Sequence, residues 1–214
     1  MTDDTEVQAA VAAGFRDLAD LLDGAPAAWW DTPSLCEGWR VREVVAHMTM
    51  AARYSQDAFM GLLAEHGFDF TRLSDAVAER DGALPTGELV GALRSEVMRR
   101  WQPPGGGAHG ALNHVVIHGL DITVPLGTEP RVPGETLGIL LDDLTAGGGH
   151  ENFGVAVEGR LLRATDLDWS YGSGPELRGT GADLALAMCG RRLPAGRLEG
   201  EPLSAGPPTP QTQP

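Results

Sequence analysis

The amino-acid sequence predicts a mainly α protein, in which a four-helix bundle is followed by a small α+β module near the C-terminus. Apolar residues recur at the three- and four-residue spacings of amphipathic helices through most of the chain up to Gly147. Beyond Gly147 they form short runs separated by glycines, which is typical of short strands. Hydrophobic residues make up 42% of the 214 positions, which is enough for a folded core.

The first two helices are predicted from their apolar stripes. The first ends before Gly24 and Pro26, and a tryptophan-rich loop over residues 29–39 follows it. Its stripe consists of Val7, Val11, Phe15, Leu18 and Leu22. We expect the second helix to run from near Val41 to about Glu65. Its apolar side consists of Val41, Val44, Val45, Met48 and Ala52.

The remaining helices of the predicted bundle are bounded by glycines and prolines. A weak helical pattern covers residues 72–80, and a stronger one repeats an apolar residue every four positions before two prolines end it. That repeat consists of Leu89, Leu93, Val97 and Trp101. A run of three glycines follows as a hinge or loop, and then an apolar helix is expected from about Ala111 to Thr123, with Pro125 ending it. One more helix is expected over residues 133–147.

Shorter patterns predict the C-terminal module. The apolar runs at 155–157 and 161–167 flank Gly159 and favour a β-hairpin. Residues 182–188 have the pattern of a short helix, and residues 197–199 that of a final strand.

These patterns divide the chain into three parts. We expect a helical bundle over residues 1–150, a small α+β domain over 151–204 and a disordered tail over 205–214. The last ten residues contain four prolines and no large apolar side chain, so they cannot bury enough apolar surface to fold.

The charge of the chain restricts its partners. It has 16 basic residues, all of them arginines, and 30 acidic residues, which gives a formal net charge of −14. This balance argues against nucleic acid or an anionic membrane as a partner, because phosphate binding needs a basic surface. An anion must instead be bound by arginine, histidine, backbone N–H groups or a metal.

The start of the chain and its cysteine content favour a cytoplasmic protein. Residues 1–6 lack the features of a secretory signal, and no apolar run approaches the roughly 18 residues of a membrane span. The two cysteines, Cys36 and Cys189, exclude a disulfide framework and an all-cysteine metal site. Cys36 is interpreted as a small buried hydrophobe and not as a nucleophile, since no base lies near it in sequence.

Three histidines and one aspartate suggest a metal site. At about 100° per residue, His114, His118 and Asp121 fall within about 60° on one face of the predicted helix at 111–123. The rest of that helix is almost wholly apolar, so the polar stripe must face the protein interior. His47 lies beside the apolar stripe of the second helix and can face the same interior. Three imidazoles leave a fourth coordination position open, as in catalytic zinc sites.

Alternative interpretations of these side chains remain open. A single pair of histidines four residues apart is weak support for a metal. Asp121 is expected either to orient an imidazole or to be a further ligand. His66 and His150 are expected at helix ends or on the surface, and His109 is expected in a loop after the glycine run.

Three segments resemble one known family. Residues 32–39, Thr-Pro-Ser-Leu-Cys-Glu-Gly-Trp, and residues 41–47, Val-Arg-Glu-Val-Val-Ala-His, resemble the signature of the mycothiol-dependent maleylpyruvate isomerases. These proteins belong to the DinB-like four-helix metalloproteins. Residues 115–122, with the Pro-Leu-Gly that follows them, are similar to the second metal helix of that family. Residues 181–192 are similar to the last helix and Gly-Arg turn of its C-terminal module.

The resemblance implies a divalent metal in the bundle, usually Zn²⁺, with Ni²⁺ or another divalent ion as alternatives, and mycothiol as cosubstrate. It places the metal ligands at His47, His114 and His118. The family's isomerases have a glutamate at the position of His114, so the site here would consist of three histidines, as in the broader DinB-like group. A neutral ligand in place of a carboxylate leaves the metal a stronger Lewis acid.

The resemblance also implies a reaction. A thiolate adds to an activated double bond, which permits rotation and then elimination, or it displaces a leaving group in an S-transfer. Arg191 or Arg192, at the matched Gly-Arg turn, could hold a carboxylate bidentately, although a solvated arginine pair at a helix end fits equally well. Besides the metal ligands, Arg191 and Asp121 are the expected catalytic residues. The expected partners are a small electrophilic substrate and the thiol. The alternatives are a metal-dependent hydrolase of the DinB type and a non-catalytic protein that binds a metal or a small ligand.

Overall fold

A computed structural model describes residues 3–129, 131–148 and 155–203. The described chain is mainly α with a small sheet, which confirms the predicted fold class. The predicted tail at 205–214, the predicted domain boundary at residue 150 and His150 itself lie outside the described residues. No helix among the described residues is long and apolar enough to cross a bilayer.

The chain divides into two compact units, Met1–Arg131 and Val132–Pro214. The helices of the first unit are α1 (Asp4–Leu22), α2 (Ala27–Trp30), α3 (Val41–Met48), α4 (Met50–Arg53), α5 (Gln56–Glu65), α6 (Phe70–Asp81), α7 (Thr86–Leu93), α8 (Glu96–Arg100) and α9 (Gly107–Leu126). The elements of the second unit are α10 (Gly134–Asp143), a π-helical turn (Leu144–Gly148), β1 (Leu161–Ala164), β2 (Ser170–Gly172), β3 (Glu176–Gly179), α11 (Gly181–Met188) and β4 (Leu198–Gly200).

The core of the first unit lies where α1 and α3 pack against α9, with α6 and α7 against α3. All five residues of the predicted stripe on α1 are buried, which confirms that helix and its face. α9 is apolar on most of its surface and buries residues around its circumference, so it occupies the centre of the unit. Its polar side chains therefore face other helices and not the solvent.

The prediction of one continuous second helix is wrong. The chain forms α3, α4 and α5 where one helix to Glu65 was expected. Thr49 leaves the helical region, with φ −109° and ψ 15°, while its hydroxyl donates to the Val45 carbonyl at 2.6 Å. Tyr54 is extended, and the Ser55 side chain accepts a hydrogen bond at the start of α5. Such bonds between short polar side chains and the backbone compete with the helical pattern.

The apolar repeat over residues 89–101 also belongs to two helices, α7 and α8, and the prediction of one helix is wrong. The Ser95 side chain accepts a hydrogen bond from the Met98 N–H at 3.3 Å and starts α8. The break turns Val97 outward, where it is 50% exposed, and buries Met98 instead. The weak helical pattern at 72–80 is confirmed as part of α6.

α9 is longer than predicted at both ends. It begins at Gly107, so His109 lies in its first turn and the prediction of a loop residue is wrong. A Cβ on Gly110 would come within 2.9 Å of Pro103 Cγ, so the missing side chain allows the first turn of α9 to pack on that proline. Pro125 lies inside the last turn, and Gly127, with φ 65°, ends the helix.

The second unit combines α10 and α11 with the sheet, whose strand order is β2-β1-β3-β4 among the described residues. β1 pairs antiparallel with β2 and parallel with β3, and β3 pairs antiparallel with β4. The hairpin thus turns after Ala164, and the predicted turn at Gly159 is wrong. The predicted short helix and final strand are confirmed as α11 and β4. α10 packs against α11, so it belongs to this unit although its sequence pattern continues that of the bundle.

Candidate functional site

Three histidines from two helices converge in the first unit. One ring nitrogen from each of His47, His114 and His118 lies within 4.8 Å of the other two. The ring centroids are 5.3 Å apart for His47 and His114, 4.9 Å for His47 and His118, and 4.8 Å for His114 and His118. α9 supplies the last two from successive turns, and α3 supplies the first across the helix interface.

Each of the three imidazoles is held at one nitrogen by a further group. The Ser74 hydroxyl lies 2.8 Å from His47 Nδ1, and Asp121 Oδ2 lies 3.0 Å from His118 Nδ1. His114 bonds to the backbone of Met48, and its Nε2 atom has no hydrogen-bond partner in the segments that the structure describes, so we assign that bond to Nδ1. Since a backbone carbonyl and a carboxylate only accept, Nδ1 carries the proton in His114 and in His118. The Nε2 atoms of His114 and His118 are therefore the nitrogens through which these two residues would bind a metal.

The environment of His114 keeps its ring neutral. Burial, followed by repulsion from His118, lowers the pKa of His114 to about 3, although the bond to Met48 opposes the shift. Its Nε2 atom is buried and has no hydrogen-bond partner among the described residues. An unsatisfied buried acceptor costs free energy unless a ligand binds it.

Asp121 is fully buried beside the histidines, where Cys36 also reaches it. The Cys36 thiol donates to Asp121 Oδ2 at 3.0 Å, and the same oxygen accepts from His118 Nδ1–H. Cys36 Sγ is 3.7 Å from His118 Nδ1. Cys36 is buried, as expected, but it lies in a polar cluster and not in a purely apolar one.

A backbone contact brings the Cys36 loop to α9. Pro125 has no N–H to donate to the Asp121 carbonyl one turn earlier. The Leu35 N–H donates to that carbonyl instead, at 3.0 Å. The loop is closed on itself by Ser34, whose hydroxyl donates to the Trp39 carbonyl at 2.8 Å. These bonds hold Cys36 next to Asp121 and to the Nδ1 atom of His118.

Aromatic rings and a cavity lie against the histidine cluster. Trp39 packs on His47 with ring centroids 5.1 Å apart, and Trp101 packs on His114 at 4.8 Å. A cavity of about 540 Å³ opens beside His47 and His114, within the range of small-molecule sites. The remaining lining residues are Met48, Met50, Ala51, Tyr54, Gln56, Phe59, Phe70, Gln102, Pro103, Pro104, Gly110 and Trp101.

A charged network lies next to this cavity. Tyr54 donates to Asp81 Oδ2 at 2.5 Å, Arg53 Nε pairs with the same oxygen at 3.1 Å, and Arg80 Nε pairs with Oδ1 at 2.9 Å. Burial by itself raises the pKa of Asp81, but the hydrogen bonds from Tyr54 and Arg80 and the charge of Arg53 outweigh it and hold that pKa below its ordinary value. Burial, and then the bond to Asp81, raises the pKa of Tyr54.

Three other side chains considered in the sequence analysis, Arg191, Arg192 and His66, are not part of the histidine cluster. Arg191 and Arg192 are in the second unit and line a cavity of about 570 Å³ after α11. The Arg191 N–H donates to the Leu186 carbonyl at 3.0 Å. His66 ends α5, as expected, and its Nδ1 lies 2.8 Å from the Leu62 carbonyl.

Ser74, the Met48 carbonyl and the contact of Cys36 with Asp121 are parts of the site that the sequence analysis missed. Ser74 is on α6, whose helical pattern is weak, and nothing in its local sequence indicates a bond to a histidine 27 residues away. The only available signal was its place on the inward face of α6, between the buried Leu73 and Val77. A backbone carbonyl leaves no signal in a sequence.

Comparisons with known proteins point to one group. Residues 11–123, more than half of the chain, match the family model described as the mycothiol maleylpyruvate isomerase N-terminal domain. The fold is similar to a crystal structure of the mycothiol-dependent maleylpyruvate isomerase, with a TM-score of 0.61, 16% identity, and coverage of 96% of this chain and 97% of that chain. A histidine-to-alanine mutant of such an enzyme gives a TM-score of 0.60 at 15% identity, with 96% and 97% covered. No curated protein gives a significant sequence match.

Proposed function

The chain belongs to the family of the mycothiol maleylpyruvate isomerase N-terminal domain, and from this membership we propose that it is a metal-dependent enzyme that uses a low-molecular-weight thiol. The thiol is mycothiol, and the reaction is isomerisation or S-transfer on a small electrophile. The observation that carries the proposal is the cluster of His47, His114 and His118, whose ring nitrogens lie within 4.8 Å of one another beside a cavity.

The donor set fits a divalent metal. The buried Nε2 atom of His114 has no hydrogen-bond partner within the described part of the chain, and three imidazoles suit Zn²⁺, with Ni²⁺ as an alternative. Each ligand is held by a group that fixes its orientation, which is the usual arrangement around a bound metal. When bound, the metal would supply the positive charge that stabilises a thiolate near neutral pH.

The other residues of the site hold and shield this centre. Asp121 keeps the proton of His118 on Nδ1, so that Nε2 presents its lone pair. Trp39 and Trp101 pack against the rings of His47 and His114, respectively. The cavity beside these two histidines gives the electrophile a place to bind. We assign Asp121 to positioning His118 on these grounds.

We also propose Arg191 as a residue that binds a carboxylate. It follows Gly190, which has φ 72°, in the turn after α11, and it lines the cavity of the second unit. A guanidinium can bind a carboxylate through two parallel hydrogen bonds. Since the chain has no lysine, arginine is the cationic side chain that remains for this role.

Elemental analysis of the purified protein tests the metal. We expect about one divalent ion per chain, because the three histidines offer a complete set of protein ligands. His114→Ala and His118→Ala should each remove it. The control is His109→Ala, which changes a histidine on the same helix outside the cluster. A metal-free protein that cannot be reconstituted would contradict the proposal.

Turnover assays then separate the possible functions of a metal-loaded protein. We expect consumption of an electrophile to require mycothiol, which measurements with and without the thiol would show. Turnover without thiol would identify a hydrolase. Metal binding with no turnover of any electrophile would identify a binding protein.

A further inference from the structure

The cavity beside the histidines is bounded by aromatic and aliphatic side chains. Trp101 packs on His114 at 4.8 Å, and Phe70 packs edge-on against His47 at 6.4 Å between ring centroids. Phe59 extends the wall, 6.4 Å from Phe70. A molecule that approaches the ring nitrogens through this cavity must therefore contact aromatic rings on two sides.

None of the described residues that line the cavity carries an arginine, aspartate or glutamate side chain. Its polar lining, apart from the two histidines, comes from Tyr54, Gln56 and Gln102. A metal bound by the histidines would attract one carboxylate, but the second charged group of a dianion would find no cationic side chain in the described lining to replace its hydration shell.

The two arginines bonded to Asp81, in the network that includes the lining residue Tyr54, are committed to other partners. Arg53 pairs with the buried Asp81 and also donates to the Ala46 carbonyl at 2.5 Å. Arg80 pairs with Asp81 and donates to the Tyr54 hydroxyl. Moving either guanidinium towards a ligand would leave a buried carboxylate short of its partners, which is costly.

We infer, on the basis of the proposed function, that the part of the electrophilic substrate that enters this cavity is an uncharged aromatic or otherwise apolar group. A dicarboxylate such as maleylpyruvate, which the solved relative is named for, is then a poor occupant of the cavity. The preferred reaction is addition to an activated double bond of an apolar electrophile, in which the sulfur bonds to the β-carbon, the π bond breaks and the thiol proton ends on the α-carbon. In a displacement, the S–C bond forms as the bond to the leaving group breaks, and the leaving group departs with the thiol proton.

Binding of two unreactive probes tests this inference. Benzylacetone is an uncharged aromatic ketone and succinate is a dianion, and neither can react with a thiol. With metal-loaded protein and no mycothiol, calorimetric titration should show binding of benzylacetone and at least about tenfold weaker binding of succinate. Succinate binding with equal or higher affinity would overturn the inference.

A pair of phenylalanine variants locates the binding. Phe70→Ala should weaken benzylacetone binding by about three- to tenfold, the effect expected from loss of one aromatic contact. The control is Phe68→Ala, since Phe68 is 63% exposed, lies near Phe70 in sequence and does not line the cavity. Phe70 is itself 51% exposed, so its removal should leave the fold intact. Equal effects of the two variants would contradict binding in this cavity.

The proposed function has a separate readout. Mycothiol consumption with benzylideneacetone, the reactive counterpart of benzylacetone, reports on catalysis. If no thiol is consumed while the unreactive probes bind as expected, the proposed function fails and the inference about the cavity stands. If thiol is consumed while succinate binds better than benzylacetone, the proposed function stands and the inference fails.

Discussion

The carboxylate of Asp121 links the histidine site to the rest of the first unit. It is fully buried, and its Oδ2 atom accepts from His118 and from the Cys36 thiol at 3.0 Å each. A buried carboxylate is tolerated only where donors surround it. The loop that carries Cys36 therefore contributes to the orientation of a histidine 82 residues further along the chain.

Substitutions of Cys36 test this connection. Cys36→Ala should lower the free energy of unfolding by about 1–3 kcal/mol, because Asp121 loses a donor that water cannot replace. Cys36→Ser keeps a donor at nearly the same place and should lose less. Denaturant unfolding of the metal-free protein measures both values. Equal losses for the two variants would show that only packing of the sulfur matters.

At the level of elements, the helix α9 depends on close approach to its neighbours. A Cβ on Gly110 would lie 2.9 Å from Cγ of the rigid Pro103 ring, which also lines the cavity. A Cβ on Gly91, in α7, would meet nothing within 4 Å. A side chain would thus clash at Gly110, whereas it would find open space at Gly91.

Alanine at these two positions should have opposite effects. Gly110→Ala should destabilise the protein by about 1–3 kcal/mol, since the proline or the helix must move. Gly91→Ala should stabilise it by about 0.5–1 kcal/mol, because alanine restricts the unfolded chain without a clash. Thermal or denaturant unfolding measures whether each substitution raises or lowers the stability of the protein. Stabilisation by both changes would mean that α9 can shift away from Pro103 at little cost.

The ends of α4 and α6 are joined by the network around Asp81. The folded pKa of Asp81 lies below its ordinary value of 3.8. Its ionised form therefore stabilises the fold fully above pH 3.8, and this contribution is lost as the pH falls through the lower folded pKa. Below the folded pKa of Asp81 its carboxyl group is protonated, and its charge no longer contributes to the stability of the fold.

Asp81→Asn tests this pH dependence. At pH 6 we expect it to destabilise the protein by about 1–3 kcal/mol, since it weakens hydrogen bonds to a buried charged group. The difference from the wild type should shrink as the pH is lowered from about 4, because both proteins then lack the charge. Urea unfolding of the two proteins at matched pH values measures it. A difference that does not change with pH would assign the effect to packing.

For the whole molecule, the division into two units separates the proposed roles. His47, His114, His118 and Asp121 all lie in the unit Met1–Arg131, and Arg191 lies in the unit Val132–Pro214. The formal charge of −14 is spread over a chain in which neutral imidazoles would hold a divalent cation. That cation would then be a local attraction for a thiolate on an otherwise acidic protein.

Expression of residues 1–131 alone tests this division. The fragment contains every proposed ligand and the residues that orient them, so it should bind about one divalent ion per chain. It lacks Arg191 and should lose thiol-dependent turnover. Elemental analysis and the turnover assay give the two results, and the full-length protein is the control. Full activity of the fragment would show that turnover does not require Arg191.

The sequence by itself determined the mainly α class, the buried face of α1 and the helical pattern that places His114, His118 and Asp121 on one face of α9. These features follow from local periodicity, because a helix fixes which side chains share a face. The positions of the helix breaks were set instead by Thr49, Tyr54 and Ser95. These residues form hydrogen bonds that are not part of a continuous helix.

Only the tertiary structure decided what surrounds the histidines. The approach of His47 to α9, the bond from Ser74 and the thiol of Cys36 on Asp121 join residues that lie 27 to 85 positions apart. The Asp121 carbonyl accepts from Leu35 because Pro125 cannot donate to it, a link that appears only when the loop and the helix are packed together. Periodicity reports which way a side chain points from its own helix, and the packing of helices determines what it meets there.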